Sequence, residues 1–301
     1  MRKEFIEKTA ALEQVRRHAS VLLSYVNFED MTVAVHLNQK QVVKDYPRMV
    51  FLLFTLSRVY RADHAATTLQ NKRREILIVF WAIYEYAKKN LEEKDFLYVV
   101  LYGMRFLNNL GESYQRLVSD FSSMRYAALY GYPVSAYLYL STYQECEALR
   151  TGYDFSLEIM LQCKKAFDFW LFSNTKDALL PFHFSELSLH PEILEQELIV
   201  KASTVISQKF SEGYLRNDRT SSSGVAKCME DFARRGLTDR LEECMNFLEG
   251  RRLSKFQNYL RPDQEKNADV LFTEDTSSQY VCLDTNAHLL HTYMNIYERN
   301  Q

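Results

Sequence analysis

Apolar residues recur at intervals of three and four along much of the chain, which is the spacing of one face of an α-helix. The interval is clear in Ala10, Leu12, Val15, Ala19 and Leu22, and again in Ile76, Val79, Phe80 and Ile83. A further apolar stretch runs from Tyr46 to Tyr60, with Pro47 where proline suits a first helical turn. We therefore expect helices over all three stretches, and the helix that contains Ile76 should end near Asn90.

A different pattern follows at residues 95–110, which are apolar on almost every side. The run begins behind a charged tip, Glu92-Glu93-Lys94-Asp95, and is followed by Gly111, a residue suited to the left-handed conformation after a helix. This pattern predicts a mostly buried helix whose charged end lies at its surface. A carboxylate in the first turn of a helix is favoured by the helix dipole, so capping is the ordinary structural interpretation of Asp95.

Further along the chain, glycine and proline mark the expected helix boundaries. Pro133 opens a helix that runs to about Arg150. Gly224, Gly236 and Gly250 are expected to divide the C-terminal part into short helices, and residues 268–284 have an irregular or β-type pattern. With only 8 Gly and 5 Pro in 301 residues, the turns that an all-β protein needs are missing. The fold class we predict is all-α, a multi-helix layered bundle.

Composition narrows the classes of partner. The net charge is −2, which argues against nucleic acid or an anionic membrane as the main partner. No uncharged apolar stretch reaches the roughly 18 residues of a membrane span. The five cysteines include no CxxC pair and are odd in number, which is typical of a reducing compartment. We expect a soluble, cytosolic protein, without a prediction of its oligomeric state.

Enzyme motifs are absent: the chain has no GxxxxGK[ST], GxGxxG, GxSxG or HExxH sequence. No cofactor and no metal site is expected. Two loose clusters are the weak exceptions: Asp284, His288 and His291 would share a helical face with metal-ligand spacing, and His183, Glu186 and His190 surround a proline. Chance on a polar face explains the first cluster and loop packing the second. Cys146 lies between two glutamates without a basic neighbour in the sequence, so nothing indicates a nucleophile.

The stretch Tyr137-Leu138-Tyr139-Leu140-Ser141-Thr142-Tyr143 adds a second unusual feature, because Tyr139 and Thr142 are three residues apart and share a helical face. Together with the charged tip some 40 residues earlier, this shared face indicates a docking groove. The ordinary structural alternative is a half-buried helix whose hydroxyl groups are hydrogen-bonded.

Together these features resemble the vacuolar-protein-sorting-nine (Vps-nine) domain, the Rabex-type exchange domain for Rab GTPases. The resemblance covers about residues 70–150. Lys72-Arg73-Arg74 is similar to the family's basic helix start, and Lys94-Asp95-Phe96-Leu97 to its acidic opening of an apolar helix. Residues 110–121 match the connecting helix, and Tyr139-Leu140-Ser141-Thr142 has the family's Tyr-x-x-Thr spacing.

The resemblance implies an exchange core at residues 71–155, braced by a helical bundle at residues 1–70 and followed by a helical region of unassigned role at residues 156–301. It implies Asp95, Tyr139 and Thr142 as the residues that promote GDP release. Because Lys94 stands at the family's first acidic position, either Asp95 or Glu93 takes the role of the acidic finger. The implied partner-binding residues are Glu93, Phe96, Tyr98 and Tyr137.

By resemblance alone, the partners are early-endosomal Rab GTPases of the Rab-five group, and no bond-making chemistry is expected. A divergent domain of this kind also fits a secreted effector of an intracellular bacterium that acts in a host cytosol near endosomal membranes. The alternative is a helical interaction scaffold that uses its 20 tyrosines as an ordinary interface. A metal-dependent hydrolase built on Asp284, His288 and His291 is a third, weaker hypothesis.

Overall fold

The computed structural model describes residues 8–37, 44–61, 69–124, 220–256, 262–275 and 280–299, with the single positions 138, 141, 142, 145, 146 and 215. Within these residues the α-helices are α1 Lys8–Ser24, α2 Tyr46–Arg61, α3 Arg73–Asn90, α4 Glu93–Asn109, α5 Gln115–Ser123, α6 Ser222–Arg235, α7 Thr238–Glu249, α8 Pro262–Glu265 and α9 Leu283–Arg299. A 3₁₀ turn covers Leu253–Lys255. The strands are β1 Val26–Asn27, β2 Thr32–Val33, β3 His36–Leu37 and β4 Val281–Cys282. Because each of these strands has only two residues and helices make up most of the described chain, the all-α prediction is confirmed.

The helices predicted from periodicity are present as α1, α2, α3 and α4. Pro47 is the second residue of α2, and α3 ends at Asn90, as expected. Gly111 adopts the left-handed conformation after α4, with φ of +68°. The amide of Glu112 bonds to the carbonyl of Leu107 at 2.9 Å and that of Gly111 to the carbonyl of Asn108 at 3.1 Å, which closes the helix end.

The glycine boundaries in the C-terminal part are partly wrong. Gly236 ends α6 in the left-handed conformation, and Gly250 follows α7. Gly224, however, lies in the first turn of α6, where its amide bonds to the Ser221 hydroxyl at 2.9 Å. The N-cap serine starts the helix there, and the glycine does not separate two helices.

Two compact units make up the fold. One contains α1, β3, β4 and α6 to α9, and the other contains α2 to α5. Packing thus groups α1 with the C-terminal helices, whereas the motifs of the sequence divide the chain at residues 70 and 155. The function of residues 71–155 as a unit stays a prediction.

In the first unit, α9 is the central helix. It packs against α1 and α6, and its residues from Leu283 to Ile296 are buried on every side. Strand β4 leads directly into α9 and pairs antiparallel with β3, so that His36 lies opposite Cys282 and Leu37 opposite Val281. The two ends of the described chain are therefore part of one core.

In the second unit, α4 is the central helix, packed against α2, α3 and α5. Most of its apolar residues, among them Val99, Val100 and Phe106, are fully buried. Gly103 allows the closest approach, because a Cβ atom there would lie 2.8 Å from a Leu117 methyl group and 2.8 Å from the Phe80 ring. The predicted all-round apolar helix is thus the core of this unit.

Candidate functional site

The charged tip lies at the start of α4. Glu92 has the extended conformation of an N-cap residue, and no side chain makes a cap hydrogen bond at this end. Asp95 is in the first turn, is exposed, and makes no hydrogen bond or ion pair within the described part of the chain. Capping therefore does not explain Asp95. The helix dipole favours a negative charge here, and the carboxylate is accessible to a partner.

Glu93, the other acid considered for the finger, is also exposed. It takes part in an interaction within the chain, as does the neighbouring Lys94. Of the two acids, Asp95 is thus the one whose carboxylate makes no contact among the described residues that a partner would have to displace.

Phe96 and Tyr98, the predicted partner-binding aromatics, are half-buried. The Phe96 ring lies 5.6 Å from the ring of Tyr84 on α3, centroid to centroid. Part of its surface therefore belongs to the α3–α4 contact, and only the remaining part is open. Tyr137 and Tyr139, the other predicted tyrosines, lie outside the described residues.

Thr142 is one of five described residues, here together called the 138–146 segment: Leu138, Ser141, Thr142 and Glu145, which are helical, and Cys146, which is not. The Thr142 side chain is completely buried, and its hydroxyl donates to the Leu138 carbonyl at 2.7 Å. The Cys146 amide in turn bonds to the Thr142 carbonyl at 2.8 Å. A hydroxyl used in this way is bonded within its own segment and is not presented to a partner.

Side chains of α4 hold the 138–146 segment at the end of the helix opposite to Asp95. Arg105 donates two hydrogen bonds to the Glu145 carboxylate, and Asn108 donates to the Glu145 carbonyl at 2.9 Å. Arg105 is ten residues after Asp95, which corresponds to about 15 Å along the helix axis. The structure therefore attaches both predicted parts of the site to one helix but keeps them apart along its length.

A polar network that sequence reasoning missed lies beneath the tip. The Tyr84 hydroxyl donates to Asp120 on α5, and Lys88 forms an ion pair with the same carboxylate at 2.7 Å. Burial alone would raise the pKa of Asp120, but the hydrogen bonds from Lys88 and Tyr84 outweigh burial and lower it. Burial, followed by the bond to Asp120, raises the pKa of Tyr84. Asp120 therefore joins α3 to α5 as a carboxylate.

The predicted metal cluster is placed in the core. Asp284, His288 and His291 are all buried on α9, and His288 directs Nδ1 at the carboxylate of Glu230. The polar face expected to be exposed is thus an internal contact between α6 and α9. Across the residues that the structure describes, no group of three or more His, Cys, Asp or Glu side chains is arranged to hold a metal ion. The His183, Glu186 and His190 cluster lies outside the described residues.

Two further predictions concern the environment of Cys146 and the presence of a membrane span. Cys146 is completely buried. None of the helices in the described part of the chain combines the length and apolar character needed to cross a bilayer.

Comparison with known proteins adds no further constraint: no family model, no curated protein and no solved structure matches the chain. The resemblance to the Vps-nine family stays a prediction that rests on motif order and spacing.

Proposed function

We propose that the chain is a guanine-nucleotide exchange factor for early-endosomal Rab GTPases of the Rab-five group, with Asp95 as its acidic finger. The observation that carries the proposal is an exposed carboxylate, without a partner among the described residues, in the first turn of a helix whose later turns are mostly buried. A rigid helix fixes the position of this charge, and nothing within the described residues neutralises it. Such a group is suited to acting on a second molecule.

The proposed mechanism is electrostatic. A GTPase holds GDP through a phosphate-binding loop, a lysine and Mg²⁺, and a carboxylate brought close to them attracts the lysine and repels the phosphate. GDP affinity falls, and the nucleotide-free complex is stabilised. GDP release becomes faster, while the overall equilibrium of nucleotide exchange stays the same.

The remaining predicted residues take different places in this proposal. The open parts of Phe96 and Tyr98 flank the tip and would contact the switch regions of the GTPase. Thr142 supports the 138–146 segment through its bond to Leu138. Tyr137 and Tyr139 are then the residues of this part of the chain that we propose for direct contact.

The proposed place of action follows from the partner. An exchange factor for early-endosomal Rab proteins acts in the cytosol at endosomal membranes. A bacterial effector that reaches a host cytosol by secretion is the proposed origin of so divergent a domain.

The test measures release of a fluorescent GDP analogue from a panel of Rab GTPases. The wild-type protein should accelerate release from at least one early-endosomal member. Asp95→Asn keeps the shape of the side chain and removes the charge, and it should lower the rate about tenfold or more, equivalent to about 1.4 kcal/mol of transition-state stabilisation. No acceleration on any early-endosomal Rab would exclude the proposed activity.

Glu93→Gln tests the other candidate for the finger, because it removes a neighbouring exposed charge from the same helical turn. It should leave most of the activity. A full loss with Glu93→Gln, together with normal activity of Asp95→Asn, would transfer the finger to Glu93.

A helical interaction scaffold is the second candidate, favoured by a separate surface on α3. Ile78 and Tyr86 are 46% and 47% exposed, and the Tyr86 ring stacks on that of Tyr46 at 4.7 Å. A scaffold would bind its partner without faster nucleotide release. Ile78→Ser would then weaken binding, whereas Asp95→Asn would leave binding unchanged.

A further inference from the structure

The contact between α4 and the 138–146 segment is built from charged and polar groups. Arg105 donates from Nε to Glu145 Oε2 at 2.8 Å and from Nη2 to Glu145 Oε1 at 2.6 Å. Asn108, one turn further along α4, donates to the backbone carbonyl of the same residue at 2.9 Å. The planar fork of the guanidinium fixes the carboxylate in both distance and orientation.

The surroundings of Arg105 strengthen this contact. Its side chain is only 10% exposed, while that of Glu145 is 32% exposed. The guanidinium lies over the ring of Phe54 on α2, 4.3 Å from the centroid. Water and salt therefore compete less for this pair than for an ion pair at the surface.

The neighbouring residues hold α4 itself in place. Asn109 donates to the Ser57 hydroxyl on α2 at 3.0 Å, and both side chains are buried. Helix α2 thus supports α4 at the level at which α4 holds Glu145. Helices α2 and α4 and the 138–146 segment meet here. Contacts with Phe54 on α2 and with Glu145 set the direction of the Arg105 side chain.

We propose that Arg105 is a positioning residue of the exchange site. Through its two bonds to Glu145 it holds the described residues of the 138–146 segment at one place along α4, and so fixes their distance from Asp95 on the same helix. The role rests on the proposed exchange function, but the fixing of the segment is a separate property. Arg105 itself touches neither GTPase nor nucleotide.

The first test separates fixing of the segment from catalysis by measuring hydrogen exchange at the Cys146 amide, which bonds to the Thr142 carbonyl. Arg105→Gln and Glu145→Gln should each raise exchange there by about tenfold, the scale of one charge-assisted hydrogen bond pair. The exchanged pair Arg105→Glu with Glu145→Arg should restore protection in part. Unchanged protection in both single variants would overturn the proposal.

The second test measures GDP release with Arg105→Gln, Arg105→Lys and Glu145→Gln, per folded molecule. We expect kcat/KM to fall about tenfold in Arg105→Gln, with partial recovery in Arg105→Lys, because lysine keeps the charge but not the fork. The double variant with Asp95→Asn should lose less than the product of the two single losses, since both changes affect one site. A purely structural role would give independent, multiplicative losses and would contradict the proposal.

Arg73→Gln is the matched control. Arg73 also pairs with a carboxylate, that of Glu112, and donates to a carbonyl, that of Leu110, but it does not contact the 138–146 segment in the described structure. It should change neither Cys146 exchange nor GDP release. If the wild-type protein releases no GDP from any Rab, the proposed function fails, and Cys146 protection alone then decides whether Arg105 fixes the segment.

Discussion

His288 on α9 directs its Nδ1 atom at the carboxylate of Glu230 on α6, and both side chains are almost completely removed from solvent. Asn295 also donates to the Glu230 backbone carbonyl at 3.3 Å. The largest helix contact of the first unit is therefore pinned by polar groups within an apolar interface. A buried pair of this kind is costly to break on one side only, because the remaining group keeps its desolvation penalty.

Replacement of Glu230 by leucine tests this pair. The single change should lower the free energy of unfolding by about 3 kcal/mol or more, whereas Glu230→Leu with His288→Leu should recover much of the loss. Urea unfolding followed by circular dichroism measures both. Glu243→Leu removes the exposed partner of Arg240 and should cost less than about 1 kcal/mol. Equal losses in the single and double variants would show that the pair contributes little.

Protonation of His18 should lower the stability of the protein in acid. Burial, with the charges of Arg252 and Arg17 adding to it, lowers the pKa of His18 from 6.5 to about 3. The unfolded chain thus binds the proton of His18 more tightly than the folded protein does. The stability that neutral His18 contributes is therefore fully present above pH 6.5 and is lost as the pH falls towards 3. Between pH 7 and pH 4.5, wild type should lose about 2–3 kcal/mol more than His18→Gln. Parallel pH profiles of urea unfolding would contradict this.

Asp231 predicts the opposite trend. Burial raises its pKa to about 6, against the opposing effect of Arg235. The folded state binds the proton more tightly, so this contribution is greatest below about pH 4 and is lost as the pH rises to 6. Asp231→Asn should therefore gain about 2–3 kcal/mol relative to wild type between pH 4 and pH 7. Asp239→Asn, at an exposed position of α7, should stay within about 0.5 kcal/mol of wild type. An effect of Asp231→Asn on stability that does not vary with pH would refute the assignment.

Gly103 predicts a steric effect in the second unit. A Cβ atom there would overlap the Phe80 ring and a Leu117 methyl group, both fully buried. Overpacking of this kind costs about 1–3 kcal/mol, which exceeds the gain of up to about 1 kcal/mol in helix propensity. Gly103→Ala should lower the unfolding midpoint in urea. Gly103→Ala with Phe80→Leu should lose less than the sum of the two single changes, and additive losses would exclude the overlap.

The sequence predicted best what depends on near neighbours. The end of α3 at Asn90 and the left-handed Gly111 follow from local patterns, and so does the exposed position of Asp95 behind an apolar run. Gly224 was misread because a glycine in a first helical turn has the same appearance as one that ends a helix. The N-cap hydroxyl of Ser221 decides between the two.

Long-range partners could not be predicted in the same way. The polar residues of α9 were interpreted as an exposed face, because the groups that bury them, such as Glu230, lie about 60 positions earlier. Arg105 did carry a signal, since it is the single cation within the apolar run from Asp95 to Leu110, and a lone charge in such a run needs a partner.

The antiparallel pairing of β3 with β4 has a consequence for synthesis of the chain. Helices α2 to α5 are complete once residue 123 has left the ribosome, whereas α1 and β3 must wait for the strand and helix that begin at Val281. Helix α1 is therefore made before α2 to α5 but finds its partner helix after them. Until α9 has been made, the nascent chain leaves uncovered the apolar face of α1 that packs against it, and a chaperone can bind there.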